Sequence, residues 1–206
     1  MAHPRSQSSD RVLLVEGQDD KHVVLSLCEH HQSTRPFFIE SKGGIDPLLE
    51  SIGLEIKVPG RQVVGILADA NGDVAGRWND IRDRLREAGI DPPQSLDSGG
   101  IIIEGKLRIG IWLMPDNTSA GELEDFVAKM IPDNDRVWPL SRSYINGIPS
   151  RDRKFIAKKR SRAQVYAWLA TRKDPRQMGA AIKARDLEVD GALSQKFVAW
   201  LNNLFG

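Results

Sequence analysis

Three acids in this chain each close an apolar run. Glu16 follows Val12-Leu13-Leu14-Val15, Asp69 follows Val63-Val64-Gly65-Ile66-Leu67-Ala68, and Asp116 follows Ile111-Trp112-Leu113-Met114-Pro115. Asp20, Asn71 and Asp73 lie within a turn of the first two. Carboxylates at the ends of adjacent parallel strands meet in space however far apart they are in sequence. Within a few ångströms they repel and raise one another's pKa unless a cation joins them. Mg²⁺ (or Mn²⁺) suits such a cluster, as a hard ion that takes carboxylate oxygens and keeps several waters. Held there, it could bind phosphate oxygens, orient an attacking water and stabilise developing charge. The plainer alternative is turn chemistry, where Asp and Asn routinely cap or bend the backbone.

The elements that must position these acids alternate along the chain. Val12 to Val15 reads as a short buried strand, Gly17 as a tight turn, and Lys21 to Cys28 as a helix with Val24, Leu27 and Cys28 at helical spacing. Pro36 to Glu40 reads as a second strand, Ser41 to Gly44 as a turn, and Ile45 to Ile52 as a short helix that Gly53 ends. Residues 61–68 form the third strand. A helix from about Gly76 to Ala88 carries Trp78, Ile81 and Leu85 on one face, and Gly89 with Pro92-Pro93 stops it. Residues 99–114 hold two β-rich runs about a Gly-Lys turn, the pattern of a hairpin. Ser119 to Glu122 has capping-box spacing ahead of Leu123, Phe126, Val127 and Met130. This alternation over residues 11–131 predicts a mainly parallel α/β sheet flanked by helices.

From Arg151 the character changes. Residues 151–162 carry seven basic side chains and one acid, and amphipathic helices follow, ending in Leu193, Phe197, Leu201 and Leu204. The expected organisation is a disordered N-terminus (1–10), an α/β core (11–140) and a helical, basic C-terminal lobe (141–206) packed on that core. Such a lobe of some 50–65 residues buries too little surface to fold well alone.

Composition sets the remaining bounds. The 206 residues carry 29 Lys and Arg against 28 Asp and Glu, so charge distribution matters more than net charge. One cysteine, Cys28, excludes an internal disulfide and fits a reducing, cytoplasmic setting. The polar start has no signal-peptide core, and no apolar run is long enough to span a membrane. His3, His22, His30 and His31 offer no metal-ligand spacing, and His30-His31 reads as a surface pair near a helix end. Gly43-Gly44 reads as a turn, being too little for a phosphate loop.

Val15-Glu16-Gly17 with Asp20, followed by Leu67-Ala68-Asp69-Ala70-Asn71, resembles the topoisomerase–primase (TOPRIM) module, which has a glutamate ending its first strand and an Asp-x-Asp pair ending a later one. The elements Trp112-Leu113-Met114-Pro115-Asp116-Asn117, Gly121-Glu122-Leu123-Glu124-Asp125-Phe126 and Ala167-Trp168-Leu169-Ala170 resemble a narrower TOPRIM-like family of small prokaryotic proteins, DUF3226, over roughly residues 11–205. The resemblance implies a TOPRIM-like (Rossmann-like) fold and a Mg²⁺-dependent acidic site that makes, breaks or rejoins phosphodiester bonds. Glu16 then matches the TOPRIM glutamate, a general acid/base or metal ligand, and Asp69 matches the first aspartate of the pair. Asn71 stands where the second aspartate is expected, a departure that removes one charge, and Asp73 could substitute. Asp20 matches the acid that accompanies the glutamate in overcoming-lysogenization-defect (OLD) nucleases. Those nucleases also use a lysine beyond the acidic core, and here Lys158, Lys159 or Arg162 could take that part.

The expected metal set is therefore Glu16, Asp20, Asp69, Asn71, Asp73 and Asp116, with Glu16, Asp69, Asp73 and Lys159 as catalytic candidates. Glu122, Glu124 and Asp125 form a further acidic trio, of which Glu122 is explained as the capping acid. Arg153, Lys154, Lys158, Lys159, Arg160 and Arg162 could hold a nucleic-acid backbone, or form a solvated helix face. Two functions follow as expectations. One is a metal-dependent nuclease, in the setting of prokaryotic anti-phage defence that the resemblance implies. The other is a catalytically weak module that binds nucleic acid or a protein partner. The chain has no Walker A sequence, so an ATPase partner would be a separate protein. A homo-oligomer is left open.

Overall fold

The structure is a computed structural model that describes residues 10–32 and 37–206. Residues 1–9 of the expected disordered start, and Pro36 of the second predicted strand, lie outside the described residues. The strands are β1 (Arg11–Val15), β2 (Phe38–Ser41), β3 (Val63–Asp69), β4 (Ile101–Ile103) and β5 (Arg108–Met114). They form one sheet in the order β2-β1-β3-β5-β4. β1, β2, β3 and β5 run parallel, and β4 pairs antiparallel with β5 through the expected hairpin. The fold is thus α/β with a five-stranded, mostly parallel sheet.

Alternation along the strands sends side chains to two separate cores. Val12, Leu14, Val64 and Ile66 face α2 (Ile45–Ile56) and α3 (Val74–Glu87). Leu13, Val15, Leu67 and Trp112 face α1 (Gln18–His30), α4 (Leu123–Ala128), α6 (Arg160–Leu169), α7 (Met178–Lys183) and α8 (Ala192–Phe205). Because both faces are covered, the central strands read as nearly continuous apolar runs. With α5 (Val137–Gly147) the described residues hold eight α-helices. No described helix is long and apolar enough to cross a membrane.

The C-terminal helices are part of the second core. Phe197 and Trp200 of α8 pack on Trp112 of β5, with ring centroids 5.2 and 5.7 Å away. The end of α8 lies directly on two glycines that face each other across β3 and β5, Gly65 and Gly110. A Cβ on Gly110 would stand 2.4 Å from Leu204 Cδ2, and one on Gly65 3.1 Å from the same atom and 2.7 Å from Leu13 Cδ1 of the neighbouring strand. A larger residue at either position forces these packed side chains to move.

Three local expectations are corrected. Gly53 does not end its helix: α2 continues to Ile56, which packs with Leu48 and Ile52 against the first core. That burial outweighs the roughly 1 kcal/mol a helical glycine costs. α3 begins at Val74 rather than Gly76, because Asp73 is its N-cap and accepts the Gly76 N–H at 2.9 Å. The capping acid of α4 is Asp125, which accepts the N–H of the N-cap Glu122 at 2.9 Å. The box therefore lies three residues beyond the Ser119–Glu122 pair.

The sheet order has one consequence for function. From β1 the chain steps outward to β2, then returns to the other side of β1 with β3. The connections after β1 and β3 thus leave in different directions, which opens a crevice at their carboxyl ends.

Candidate functional site

Glu16 follows β1 directly and Asp69 closes β3, and Val15 and Leu67 are register partners in these adjacent strands. The two acids therefore share one rim. Glu16 Oε1 accepts the Asp69 backbone N–H at 2.8 Å. Asp69 Oδ1 accepts the N–H of Leu123, at the start of α4, at 2.9 Å. Asp20, in the first turn of α1, is buried and accepts the Gly17 N–H at 2.9 Å. Together with Asp19 and Glu124 these acids line a cleft of about 550 Å³. Lys42, Lys159 and Arg162 supply its positive side.

Electrostatics follow from crowding carboxylates in partly desolvated space. Burial raises the pKa of Asp69 well above its ordinary value, and the charges of Glu16, Asp20, Glu124 and Glu122 add to the effect. Burial also lifts Asp20 to about 7 against the opposing Gly17 N–H, with Glu16 and Glu124 contributing. Glu16 is raised by burial, though the Asp69 N–H, Arg77 and Lys159 oppose it. Glu124 is raised by burial and by Glu122, against Arg162 and Lys159. Such a rim favours a bound proton or cation.

The basic side is tied to the acidic one. Lys159 bonds Glu122, a buried acid whose other oxygen, Oε1, has no hydrogen-bond partner. Arg162 lies 3.3 Å from Glu124 and 3.5 Å from Asp19. Tyr166 donates its hydroxyl to Asp19 at 2.6 Å, and its pKa rises to about 12 through burial and that acid.

Residues 10–206 match the family model described as "Protein of unknown function (DUF3226)". The chain belongs to that family. No curated protein and no solved structure matches it.

In this DUF3226 protein, Glu16, Asp20, Asp69, Lys159 and Arg162 converge on the cleft, while other expected site residues lie elsewhere. Asp116 is a turn residue: its carboxylate accepts the N–H groups of Thr118 and Ser119 and pairs with Lys129 at 2.6 Å. Slight burial notwithstanding, those partners hold its pKa below the usual carboxylate range. Asp73 is spent as the exposed cap of α3. Asn71 adopts a left-handed backbone (φ +52°), bridges Gly121 and lines an adjoining hollow with Lys158, Glu122 and Ser161. Within the basic run, the Arg153 guanidinium is engaged by the carbonyls of Ile148 and Asn146. Lys154, Lys158 and Arg160 remain exposed.

Glu124, one of the acidic trio, has no strand-end signal, and α4, whose Leu123 N–H is bound by Asp69, carries it to the cleft. One contribution escapes the sequence reading. Gly43 and Gly44, with φ of +82° and +140°, line the opposite wall and donate their N–H groups to the Glu16 carbonyl at 2.9 Å.

The donors fit Mg²⁺. All are hard oxygens, and one oxygen each of Glu16 and Asp69 carries no hydrogen bond among the described residues. The ligand oxygens of no three of these acids lie within 4.8 Å of one another among the described residues. One or two carboxylates with several waters is an ordinary protein share for this ion.

Proposed function

We propose that this protein is a Mg²⁺-dependent phosphodiester hydrolase of TOPRIM type that cleaves nucleic acid. The observation that carries the reading is the Glu16–Asp69 pair at the carboxyl ends of adjacent parallel strands, with Lys159 and Arg162 across the same cleft. Glu16 and Asp69 would hold the ion (Mg²⁺ or Mn²⁺). When bound, it neutralises phosphate oxygens and lowers the pKa of coordinated water.

The chain's own residues supply the remainder. Lys159 and Arg162 attract and orient the phosphate, and the acids Glu122 and Glu124 hold those two cations in place. Asp20, with a pKa near 7, is suited to take a proton from water or return one to a leaving oxygen. Exposed Lys154, Lys158 and Arg160 would extend the contact with a nucleic-acid backbone.

A second reading has its own support. Where the TOPRIM resemblance expects a second aspartate, Asn71 lines the adjoining hollow and Asp73 is engaged as the cap of α3. Neither side chain lines the acidic cleft, which favours a catalytically weak module binding nucleic acid or a partner, including a separate ATPase in anti-phage defence.

Cleavage of single- and double-stranded DNA and RNA in Mg²⁺ or Mn²⁺ separates the two. The hydrolase reading expects cleavage by the parent protein that disappears in Glu16→Gln. Nucleic-acid binding without cleavage by the parent, unchanged in Glu16→Gln, supports the module instead.

A further inference from the structure

At the far end of α1 from the acidic cleft stands a cluster that the hydrolase reading does not use. Helix α1 is 13 residues long, about 20 Å at 1.5 Å per residue, so the two groups are separate. His30 closes the helix and His31 is its C-cap. The loop between α7 and α8 brings Asp190 to them. One ligand atom from each of His30, His31 and Asp190 lies within 4.8 Å of the other two.

We infer that His30, His31 and Asp190 form a site for a zinc-class divalent cation that ties the end of α1 to the α7–α8 loop. The donor chemistry is two imidazole nitrogens and one carboxylate oxygen, which borderline first-row ions prefer over Mg²⁺. The spacing agrees. Ligands ~2.0–2.1 Å from a tetrahedral zinc are about 3.3 Å apart, and His30 Nε2 lies 3.3 Å from Asp190 Oδ1. The His30 and His31 rings meet edge to face at 4.9 Å, so they are not stacked and can address one point from two directions.

Both halves of the site are held before any ion arrives. His31 is fixed by its backbone N–H, which donates to the Leu27 carbonyl at 2.9 Å. On the other side, Leu187 and Val189 are buried in the core, and the Glu188 N–H donates to the Met130 carbonyl at 2.7 Å. Buried Ser194 donates to the Val189 carbonyl at 2.5 Å. Asp190 thus projects from an anchored loop. His31 Nε2 donates to the Val189 carbonyl at 3.2 Å, which orients the ring and leaves Nδ1 as its ligand atom. His30 and Asp190 also line an open basin of about 680 Å³, which gives water access to the cluster.

The test is calorimetric titration of the full, untagged chain with Zn²⁺, repeated with Co²⁺ to read the ligand-field absorption of a nitrogen and oxygen site. With excess Mg²⁺ present to hold the acidic cleft, the expected result is one zinc per chain, with binding weakened at least about tenfold by His30→Gln and by Asp190→Asn. Glu16→Gln should leave zinc affinity unchanged, so this inference can fail while the hydrolase reading stands, and the reverse. All three substitutions are near-isosteric at exposed or half-buried positions, and circular dichroism checks that each variant folds. Zinc binding that survives both His30→Gln and Asp190→Asn, binding lost in Glu16→Gln instead, or no binding by the parent would each overturn the inference.

Discussion

Glu16 Oε1 and the backbone N–H of Asp69 are 2.8 Å apart, a hydrogen bond that joins the carboxyl ends of β1 and β3 across 53 positions of sequence. It gives Glu16 a structural task besides any chemical one, and the two separate by substitution. Glutamine keeps an oxygen acceptor at that place and removes the charge. Alanine leaves a partly buried N–H unpaired, which costs ~1–3 kcal/mol. Urea denaturation should therefore find Glu16→Gln within about 1 kcal/mol of the parent and Glu16→Ala less stable by that larger amount.

The raised carboxyl pKa values make stability depend on pH in a defined direction. Asp20 moves from 3.8 to about 7 on folding, so the folded state binds its proton more tightly. That contribution is complete below pH 3.8 and is lost as pH rises through about 7. Asp69, Glu16 and Glu124 act in the same sense. Asp116 and Asp135, held low, lose their contribution only under more acid conditions. In the presence of a chelator, the protein should lose on the order of 1–3 kcal/mol of stability between pH 5 and pH 8. Asp20→Asn can still accept the Gly17 N–H, and should flatten that slope. An unchanged slope in the variant would assign the pH dependence to other groups.

Lys159 and Glu122 form an unequal pair, with the lysine side chain 33% exposed and the glutamate 4%. Removing the lysine strands a buried charge, whereas removing the charge of Glu122 releases a half-solvated lysine. Lys159→Met should therefore destabilise by ~1–3 kcal/mol, less than a fully buried pair would lose. Glu122→Gln should cost less, and the double variant should recover part of the Lys159→Met loss in a thermal-melt cycle.

The glycine pair beneath α8 gives a prediction independent of function. Gly110→Ala places a methyl 2.4 Å from Leu204 Cδ2, so the packed Leu204 side chain must move. A loss of ~1–3 kcal/mol is expected in chemical denaturation. Leu204→Ala removes a fully buried side chain and itself costs ~2–5 kcal/mol, so the double variant should lose less than the sum of the two single losses.

What could be read from the residues was what short-range pattern determines. Val12 to Val15 and Val63 to Ala68 are apolar runs closed by an acid, which is enough to locate two parallel strand ends. Trp78, Ile81 and Leu85 recur at helical spacing and are buried. Asp116 carries the same local signal as Glu16, yet β5 ends two residues earlier and the chain turns. Its carboxylate then satisfies the turn's own N–H groups. Glu124 shows the opposite case, since no strand-end signal sets it apart from Glu122 and Asp125 in its acidic trio. It joins the rim because the Leu123 N–H is bound by Asp69, a contact between residues 54 positions apart. His30 and His31 lack ligand spacing within their own helix, and their partner Asp190 lies 160 residues on. Tertiary packing made each of these neighbours, and local periodicity carries no record of it.

The central claim is that Glu16 and Asp69 share a divalent ion. Crystals soaked in Mn²⁺ and measured at a wavelength where manganese scatters anomalously test it most directly. The account predicts an anomalous peak between the Glu16 and Asp69 carboxylates that is lost in Glu16→Gln crystals. A well-ordered rim with no peak at high Mn²⁺ concentration would contradict it.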